Sequence, residues 1–355
     1  MAERPIIALL YDFDKTLCTQ DMQNYAFIPS LGMAPGDFWK EANSFGWQEK
    51  MDGILAYMYT MIRKSRELGV PLTREKLIHC GRSINFFPGV TDWFDRLNHF
   101  GDLLGVDVEH YVISSGLREI IDGTSIAGAF KEIYASEFYY DENGQPMWPK
   151  LAVNFTAKTQ FVYRINKGVL DIADDKTLND SMPDDSKRVP FTNMIYIGDG
   201  TTDVPCMKLV ISRGGHAIAV YTGEKNREVC DMLVHGRVQF IAPPIILRAA
   251  KLSRSSRGSL TAWRPTAAIL LLAAVNWMKP TKYWGFTTKA TLESCASSAA
   301  CWFFAGFLLY TVLSTAKGET LWKPRKAALF FTRRTQCLIC KRLASALPSC
   351  AVNAI

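Results

Sequence analysis

The stretch Ile6-Ile7-Ala8-Leu9-Leu10-Tyr11-Asp12-Phe13-Asp14-Lys15-Thr16 joins a short apolar run to two closely spaced carboxylates. The run has no helical period and ends in polar residues, which predicts a buried strand over Pro5–Tyr11. Ligands of parallel α/β sheets bind beyond the carboxyl ends of the strands. The sequence therefore predicts that Asp12 and Asp14 lie at a ligand-binding edge.

The same pattern of an apolar run followed by polar residues returns twice. A predicted strand over Val106–Ile113 leads into Ser114-Ser115-Gly116, and one over Asn193–Ile197 leads into Gly198-Asp199-Gly200-Thr201-Thr202-Asp203. Between them, a helix predicted from about Thr156 carries Lys158. The other predicted elements are helices over Val90–Phe100, Thr202–Val210 and Glu224–Val234, hairpin strands Glu132–Tyr140 and Pro146–Asn154 around Asn143-Gly144, strands His216–Tyr221 and Val238–Ile241, and a surface loop over Asp174–Lys187.

Strands that alternate with helices indicate an α/β fold whose parallel sheet is covered on both faces. Residues 19–85 differ, because apolar residues recur there at helical spacing, and they predict a small helical domain. The predicted organisation is a Rossmann-like core over residues 1–18 and 86–243, a helical cap over 19–85, and an atypical tail over 244–355. Four cap aromatics could line a substrate pocket or pack inside the cap: Trp39, Trp47, Tyr57 and Tyr59.

The residues that follow the strands suit the hydrolysis of a phosphate monoester. Asp12 is placed to act as a nucleophile that forms an aspartyl-phosphate, and Asp14 is placed to protonate the leaving oxygen and later activate water. Asp199 and Asp203 add two carboxylates, which would repel a phosphate dianion unless a cation is present. Mg²⁺ accepts carboxylates together with a substrate phosphate oxygen.

Phosphate contacts are predicted from a second group of residues. Lys158 supplies a fixed positive charge. The Ser115 hydroxyl, with backbone N–H groups near Gly116 and Asp14, can hold the equatorial oxygens of the transition state.

Together these motifs resemble the haloacid-dehalogenase-like (HAD) phosphohydrolases over about residues 5–243. The helical insert between the first two motifs resembles the cap of the phosphoserine-phosphatase-like branch. Stretches such as Phe138–Gly144 and Arg164–Gly168 are similar to uncharacterised HAD-family hydrolases. The resemblance implies Asp12 as nucleophile, Asp14 as acid and base, and Mg²⁺ held by the Asp12 carboxylate, the Asp14 backbone carbonyl and Asp199. Asp203 would support the metal shell, and Ser115 and Lys158 would bind phosphate, with Lys167 as the competing lysine.

The expected activity is therefore Mg²⁺-dependent hydrolysis of a small phosphorylated metabolite in the cytoplasm. A phosphotransferase or a nucleotidase would use the same aspartyl-phosphate chemistry. A catalytically inactive binding protein could keep the fold, but it would not need Asp12, Asp14, Lys158, Asp199 and Asp203 together.

Charge is divided unevenly along the 355 residues, whose net charge is +7. Residues 251–355 carry 15 Lys and Arg against two Glu, whereas residues 1–250 carry 26 basic and 32 acidic residues. The basic character therefore belongs to the tail and says nothing about what the acidic body binds. Because the tail contains no recognisable nucleic-acid-binding module, no nucleic-acid partner is expected.

Three interpretations of the tail stay open at this point. HAD relatives of this type commonly continue Ala-Asp-Tyr-Ser-Glu-Gly-Ser, and Pro244–Ala250 can be encoded by the same DNA shifted by one base. We hypothesise that the residues after about 243 arise from a shifted frame or a retained intron. The uncharged run Ser294–Leu313 is also long enough to span a bilayer, which would make it a membrane anchor. A genuine tail is the third interpretation.

Overall fold

The computed structural model describes residues 4–221 and 226–242. Their strands form one sheet in the order β4-β3-β2-β1-β5-β6-β7, with every neighbouring pair parallel except β3 and β4. This topology confirms the predicted α/β class with a Rossmann-like core. The strands are β1 Ile6–Tyr11, β2 Asp107–Leu117, β3 Glu132–Tyr140, β4 Pro146–Leu151, β5 Met194–Gly198, β6 His216–Val220 and β7 Phe240–Ala242.

Strand β1 lies in the middle of the sheet and is buried on both faces. Ile7 and Leu9 pack into one apolar cluster, whereas Ala8 and Leu10 pack into the other. This two-sided burial explains why the strand is a continuous apolar run and has no polar alternation. The helices that connect the core strands are α5 Trp93–Leu104, α6 Arg118–Asp122, α7 Lys158–Lys167, α8 Asp175–Asn179, α9 Val204–Ser212 and α10 Asn226–Val234.

Residues 19–85 contain the four helices α1 Phe27–Ser30, α2 Pro35–Gln48, α3 Gly53–Glu67 and α4 Arg74–Gly81. Helix α3 is preceded by Asp52, whose side chain accepts hydrogen bonds from the Ile54 and Leu55 amides, as expected of an N-cap residue. Its inner face is apolar and includes Tyr57 and Met58. The segment is therefore helical, while its division from the core as a separate cap domain stays a prediction.

Several boundaries differ from the prediction, and three of these differences have clear local physical reasons. Strand β2 continues to Leu117 because it pairs with β3 again after a shift in register between Ser114 and Leu117. Helix α5 begins at Trp93, after the chain has turned through Gly89 at φ +89°. The surface loop predicted over Asp174–Lys187 contains α8, whose first turn is capped by the Asp174 side chain.

The hairpin predicted around Asn143-Gly144 is present between β3 and β4. Its turn is wider than the two-residue turn that an Asn-Gly pair favours. The Asp141 side chain accepts from the amides of Asn143 and Gln145, and Gly144 takes φ +71°. An aspartate side chain therefore stabilises this turn.

The tail over 244–355, including Ser294–Leu313, lies outside the described residues. Within residues 4–221 and 226–242, none of the helices combines the length and the apolar character needed to cross a bilayer.

Candidate active site

Three carboxylates meet at the carboxyl ends of β1 and β5. Asp12 directly follows β1, and its amide donates to the Ile197 carbonyl at 2.8 Å, which fixes it beside the neighbouring strand. Asp199 follows β5, and Asp203 ends a short 3₁₀ turn before α9. Each of the three offers an oxygen within 4.8 Å of the others, and all three are buried. The sheet therefore brings together acids that are far apart in sequence.

Lys158 lies in the middle of this acidic group. It is the first residue of α7, and its Nζ is 2.8 Å from Asp12 Oδ1 and 2.8 Å from Asp203 Oδ1. Burial alone would lower the pKa of Lys158, but the Asp12 and Asp203 carboxylates raise that pKa above its ordinary value. The ammonium group is therefore charged and balances part of the acidic cluster.

Lys167 lies at the other end of α7. Its Nζ donates to the carbonyls of Leu178 at 2.5 Å and Asp180 at 2.7 Å. These contacts join the C-terminal end of α7 to the last turn of α8 and the residue that follows it. Of the two lysines considered from the sequence, Lys158 is the one that the structure places against Asp12.

Asp203 is held by more than the lysine. The buried Tyr196 hydroxyl donates to Asp203 Oδ1 at 2.9 Å, while Oδ2 has no hydrogen-bond partner among the described residues. A Cβ atom at Gly198 would lie 2.3 Å from Oδ2, so only glycine leaves room for the carboxylate. Tyr196 was not identified from the sequence, where it reads only as an apolar residue of a buried strand.

The electrostatics of the cluster favour a cation. Burial and repulsion from Asp203 raise the pKa of Asp12 to about 7, although Lys158 partly opposes this shift. The three carboxylates are buried within 4.8 Å of one another, and their mutual repulsion in a region of low polarity favours a positive charge between them. Carboxylate oxygens are the ligand type that Mg²⁺ prefers. The residues present at this edge of the sheet therefore fit a divalent cation.

Asp14 lies on the tight turn that follows Asp12. Lys15 in this turn adopts the left-handed region at φ +57°, a conformation that is uncommon for residues other than glycine. Asp14 Oδ1 accepts the Met22 amide at 2.8 Å. Burial, with repulsion from Asp21 and Asp12, raises the pKa of Asp14 well above its usual range. A raised pKa makes a carboxyl group hold its proton more readily than an ordinary aspartate, which suits Asp14 to donate a proton.

Gly116 is adjacent to Asp14. A Cβ atom at Gly116 would lie 3.0 Å from Asp14 Oδ2 and 2.1 Å from Met22 Cε, so the glycine allows the second and first motifs to approach each other. Its amide donates to Ser114 Oγ at 3.0 Å. Ser115 instead donates its hydroxyl to the Val153 carbonyl at 2.7 Å. The Ser115 proton is therefore engaged with the segment before α7.

The helical segment over 19–85 reaches this edge through α3. The Tyr57 hydroxyl donates to the Ser115 carbonyl at 2.8 Å, and its ring packs edge-to-face on Trp39. Trp39 in turn donates to Asn24 Oδ1 at 2.8 Å. Trp47 is 88% exposed and Tyr59 is 44% exposed. Of the four aromatics considered from the sequence, Tyr57 is therefore the one that bonds to a predicted site residue.

Comparison with known proteins agrees with this architecture. The model of the haloacid dehalogenase-like hydrolase family matches residues 9–208. An uncharacterized protein of Borreliella burgdorferi is 28% identical over 252 residues, which cover 62% of this chain and 85% of that protein.

Two solved structures are similar at lower identity. A HAD family hydrolase from Salmonella enterica serovar Typhi shares 16% identity with a TM-score of 0.46, covering 68% of this chain and 69% of the other. A phosphoserine phosphohydrolase-like protein from Francisella tularensis shares 17% identity with a TM-score of 0.41, covering 69% and 97%. Because the family model matches more than half of this chain, the chain belongs to the haloacid dehalogenase-like hydrolases.

Proposed function

We propose that this hydrolase cleaves the phosphate monoester of a small metabolite through an aspartyl-phosphate on Asp12, with Mg²⁺ as cofactor. The observation that carries the proposal is the ion pair between the buried Lys158 ammonium and Asp12, with Asp199 and Asp203 beside it. This arrangement supports a nucleophilic carboxylate next to a cationic binding position for phosphate oxygens.

Asp12, Asp199 and Asp203 are the carboxylates available to hold Mg²⁺, with the Asp14 backbone carbonyl as a further oxygen ligand. Bound Mg²⁺ would offset the repulsion between these carboxylates and the phosphate dianion. The unpartnered Asp203 Oδ2 supports this proposal, because a buried carboxylate oxygen is costly unless something bonds to it.

In the first step, Asp12 attacks phosphorus with a carboxylate oxygen, and the bond from phosphorus to the substrate oxygen breaks. Asp14 donates its proton to that leaving oxygen, which departs as an alcohol. In the second step, water attacks phosphorus, Asp14 takes a water proton, and the bond between phosphorus and Asp12 breaks. Phosphate is released and both aspartates return to their starting protonation states. Lys158 holds Asp12 Oδ1 throughout and offers its charge to the phosphoryl oxygens.

We also propose a cytoplasmic setting and no nucleic-acid partner. The thiols of Cys18, Cys80 and Cys206 are free, which fits a reducing compartment. A phosphotransferase would share the first step and differ only in the acceptor of the phosphoryl group in the second step. With glycerol present, the ratio of phosphoryl transfer to glycerol over phosphoryl transfer to water separates these two activities.

Hydrolysis of p-nitrophenyl phosphate, measured with Mg²⁺ and with EDTA, tests the proposal. We expect activity only with Mg²⁺, and a loss of at least about a thousandfold in Asp12→Asn, because the nucleophile is removed. Asp95→Asn is the matched control, because Asp95 is exposed on α5 and its substitution makes the same chemical change away from the site. Equal rates for wild type and Asp12→Asn would refute the proposed function.

A further inference from the structure

One side-chain hydrogen bond joins the residue before α3, in the helical segment over 19–85, to the turn before α7, the helix that carries Lys158. Asn154 Nδ2 donates to Asp52 Oδ2 at 3.1 Å. Asp52 uses its other oxygen to cap α3, accepting from Ile54 and Leu55. Asn154 uses its own Oδ1 to accept the Ala157 amide at 2.9 Å. Asp52 therefore caps α3 with one oxygen, Asn154 stabilises the turn before α7 with its oxygen, and their remaining atoms bond to each other.

The turn that Asn154 stabilises ends at Lys158. The Lys158 amide donates to the Asn154 carbonyl at 3.1 Å, while the Lys158 side chain reaches Asp12 and Asp203. The backbone position of the lysine therefore depends on Asn154, and its ammonium position depends on the two aspartates.

A second contact from α3 ends on the same part of the core. Tyr57 donates to the Ser115 carbonyl, and Ser115 donates to the carbonyl of Val153, the residue before Asn154. Ser136 donates to the Ser115 carbonyl at 3.2 Å and accepts the Val153 amide at 3.1 Å. Both contacts of α3 thus act on one hydrogen-bonded segment that leads into α7.

We propose that Asn154 is a positioning residue that couples the seating of α3 on the core to the placement of Lys158. It acts through the turn before α7 and makes no contact with the reacting atoms. Departure of α3 removes the partner of Asn154 Nδ2 and loosens the turn that fixes the lysine backbone. The structural coupling stands on its own, whereas its effect on phosphate binding rests on the proposed function.

Asn154 is the donor and Asp52 the acceptor of this hydrogen bond. The coupling can therefore be tested by swapping the two residue types. Asn154→Asp keeps an oxygen for the Ala157 amide but sets two carboxylates against each other. Asp52→Asn keeps an oxygen for the α3 amides but sets two NH₂ groups against each other. The double variant restores one donor and one acceptor with the direction reversed. The cap of α3 and the turn before α7 both keep an acceptor oxygen, because Asn caps a helix about as well as Asp.

Hydrogen–deuterium exchange of the full-length protein without ligand is the first measurement. We expect each single variant to exchange about tenfold faster at the amides of α3 and of residues 155–159, and the double variant to stay within about twofold of wild type. Asn143→Asp, which adds the same charge at an exposed turn, is expected to match wild type in these segments. Unchanged exchange in the single variants, or a double variant as fast as either single variant, overturns the proposal.

Calorimetric titration with inorganic phosphate in the presence of Mg²⁺ is the second measurement. The dissociation constant is expected to rise about tenfold in each single variant and to recover in the double variant. If wild type binds no phosphate, the proposed function fails, while the exchange data still decide the coupling. If the single variants do not fold, Tyr57→Phe, which removes one hydroxyl, replaces them in the exchange measurement with the same expected direction.

Discussion

Lys158→Met removes the ammonium group from the acidic cluster while keeping a side chain of similar length. Wild-type Lys158 Nζ lies 2.8 Å from both Asp12 and Asp203, and all three side chains are buried. Removing one partner of a buried ion pair costs about 3–5 kcal/mol, because the remaining charges are left uncompensated. For a domain of this size, that loss lowers the melting temperature by roughly 6–20 °C.

Mg²⁺ should reverse part of this loss. The variant leaves Asp12 and Asp203 without the ammonium that pairs with them, so we expect Mg²⁺ to raise the melting temperature of Lys158→Met more than that of wild type. Thermal unfolding followed by circular dichroism, with Mg²⁺ and with EDTA, measures both effects. Phosphatase activity should fall in parallel, because the cationic contact to phosphate is lost as well.

Lys167→Met is the matched control because it lies on the same helix. Within the residues that the structure describes, Lys167 bonds to two backbone carbonyls and to no carboxylate. We expect a smaller loss, about 1–2 kcal/mol, with no dependence on Mg²⁺. Equal destabilisation of the two variants, or an identical response to Mg²⁺ in Lys158→Met and wild type, would refute the electrostatic reasoning.

Three further outcomes can be checked. Tyr196→Phe removes a hydrogen bond to a charged carboxylate and should lower the free energy of unfolding in urea by about 1.5–3 kcal/mol; an unchanged value would contradict that bond. Gly116→Ala would push on Met22, so kcat for p-nitrophenyl phosphate should fall at least about tenfold, and adding Met22→Ala should recover part of it. Burial lowers the pKa of His110 to about 3, so the unfolded chain takes up this proton first. The stability that neutral His110 contributes is therefore fully present above about pH 6.5. It falls by up to about 1.4 kcal/mol per pH unit as the pH drops towards 3. In His110→Gln, the free energy of unfolding should decrease less steeply over this pH range.

Much of the sheet could be predicted because local patterns determine it. The apolar runs of β1 and β5 are long enough and bounded clearly enough to identify them as buried strands. The positions of Asp12 and Asp199 at one edge then follow from parallel topology. Lys158 was predicted at the start of its helix, although its contact with Asp12 joins residues 146 positions apart.

Other parts of the site depend on partners that a local pattern does not reveal. The extension of β2 through Ser115 arises from its renewed pairing with β3, and no feature of the residues themselves marks it. The apolar run of β5 predicts that Tyr196 is buried, but its hydroxyl has a defined role only because Asp203 turns back over Gly198. The same holds for Tyr57, whose partner Ser115 is 58 positions away.

Strand β4, on the outer side of the antiparallel hairpin, carries prolines at its first residue, Pro146, and again at Pro149. A proline has no N–H to donate to a further strand, so this edge of the sheet is a poor template for pairing with a strand of another molecule. Without the prolines, the exposed apolar side chains of Met147 and Trp148 would favour association at this edge. The two prolines therefore lower the tendency of this edge to pair with a strand of a second molecule.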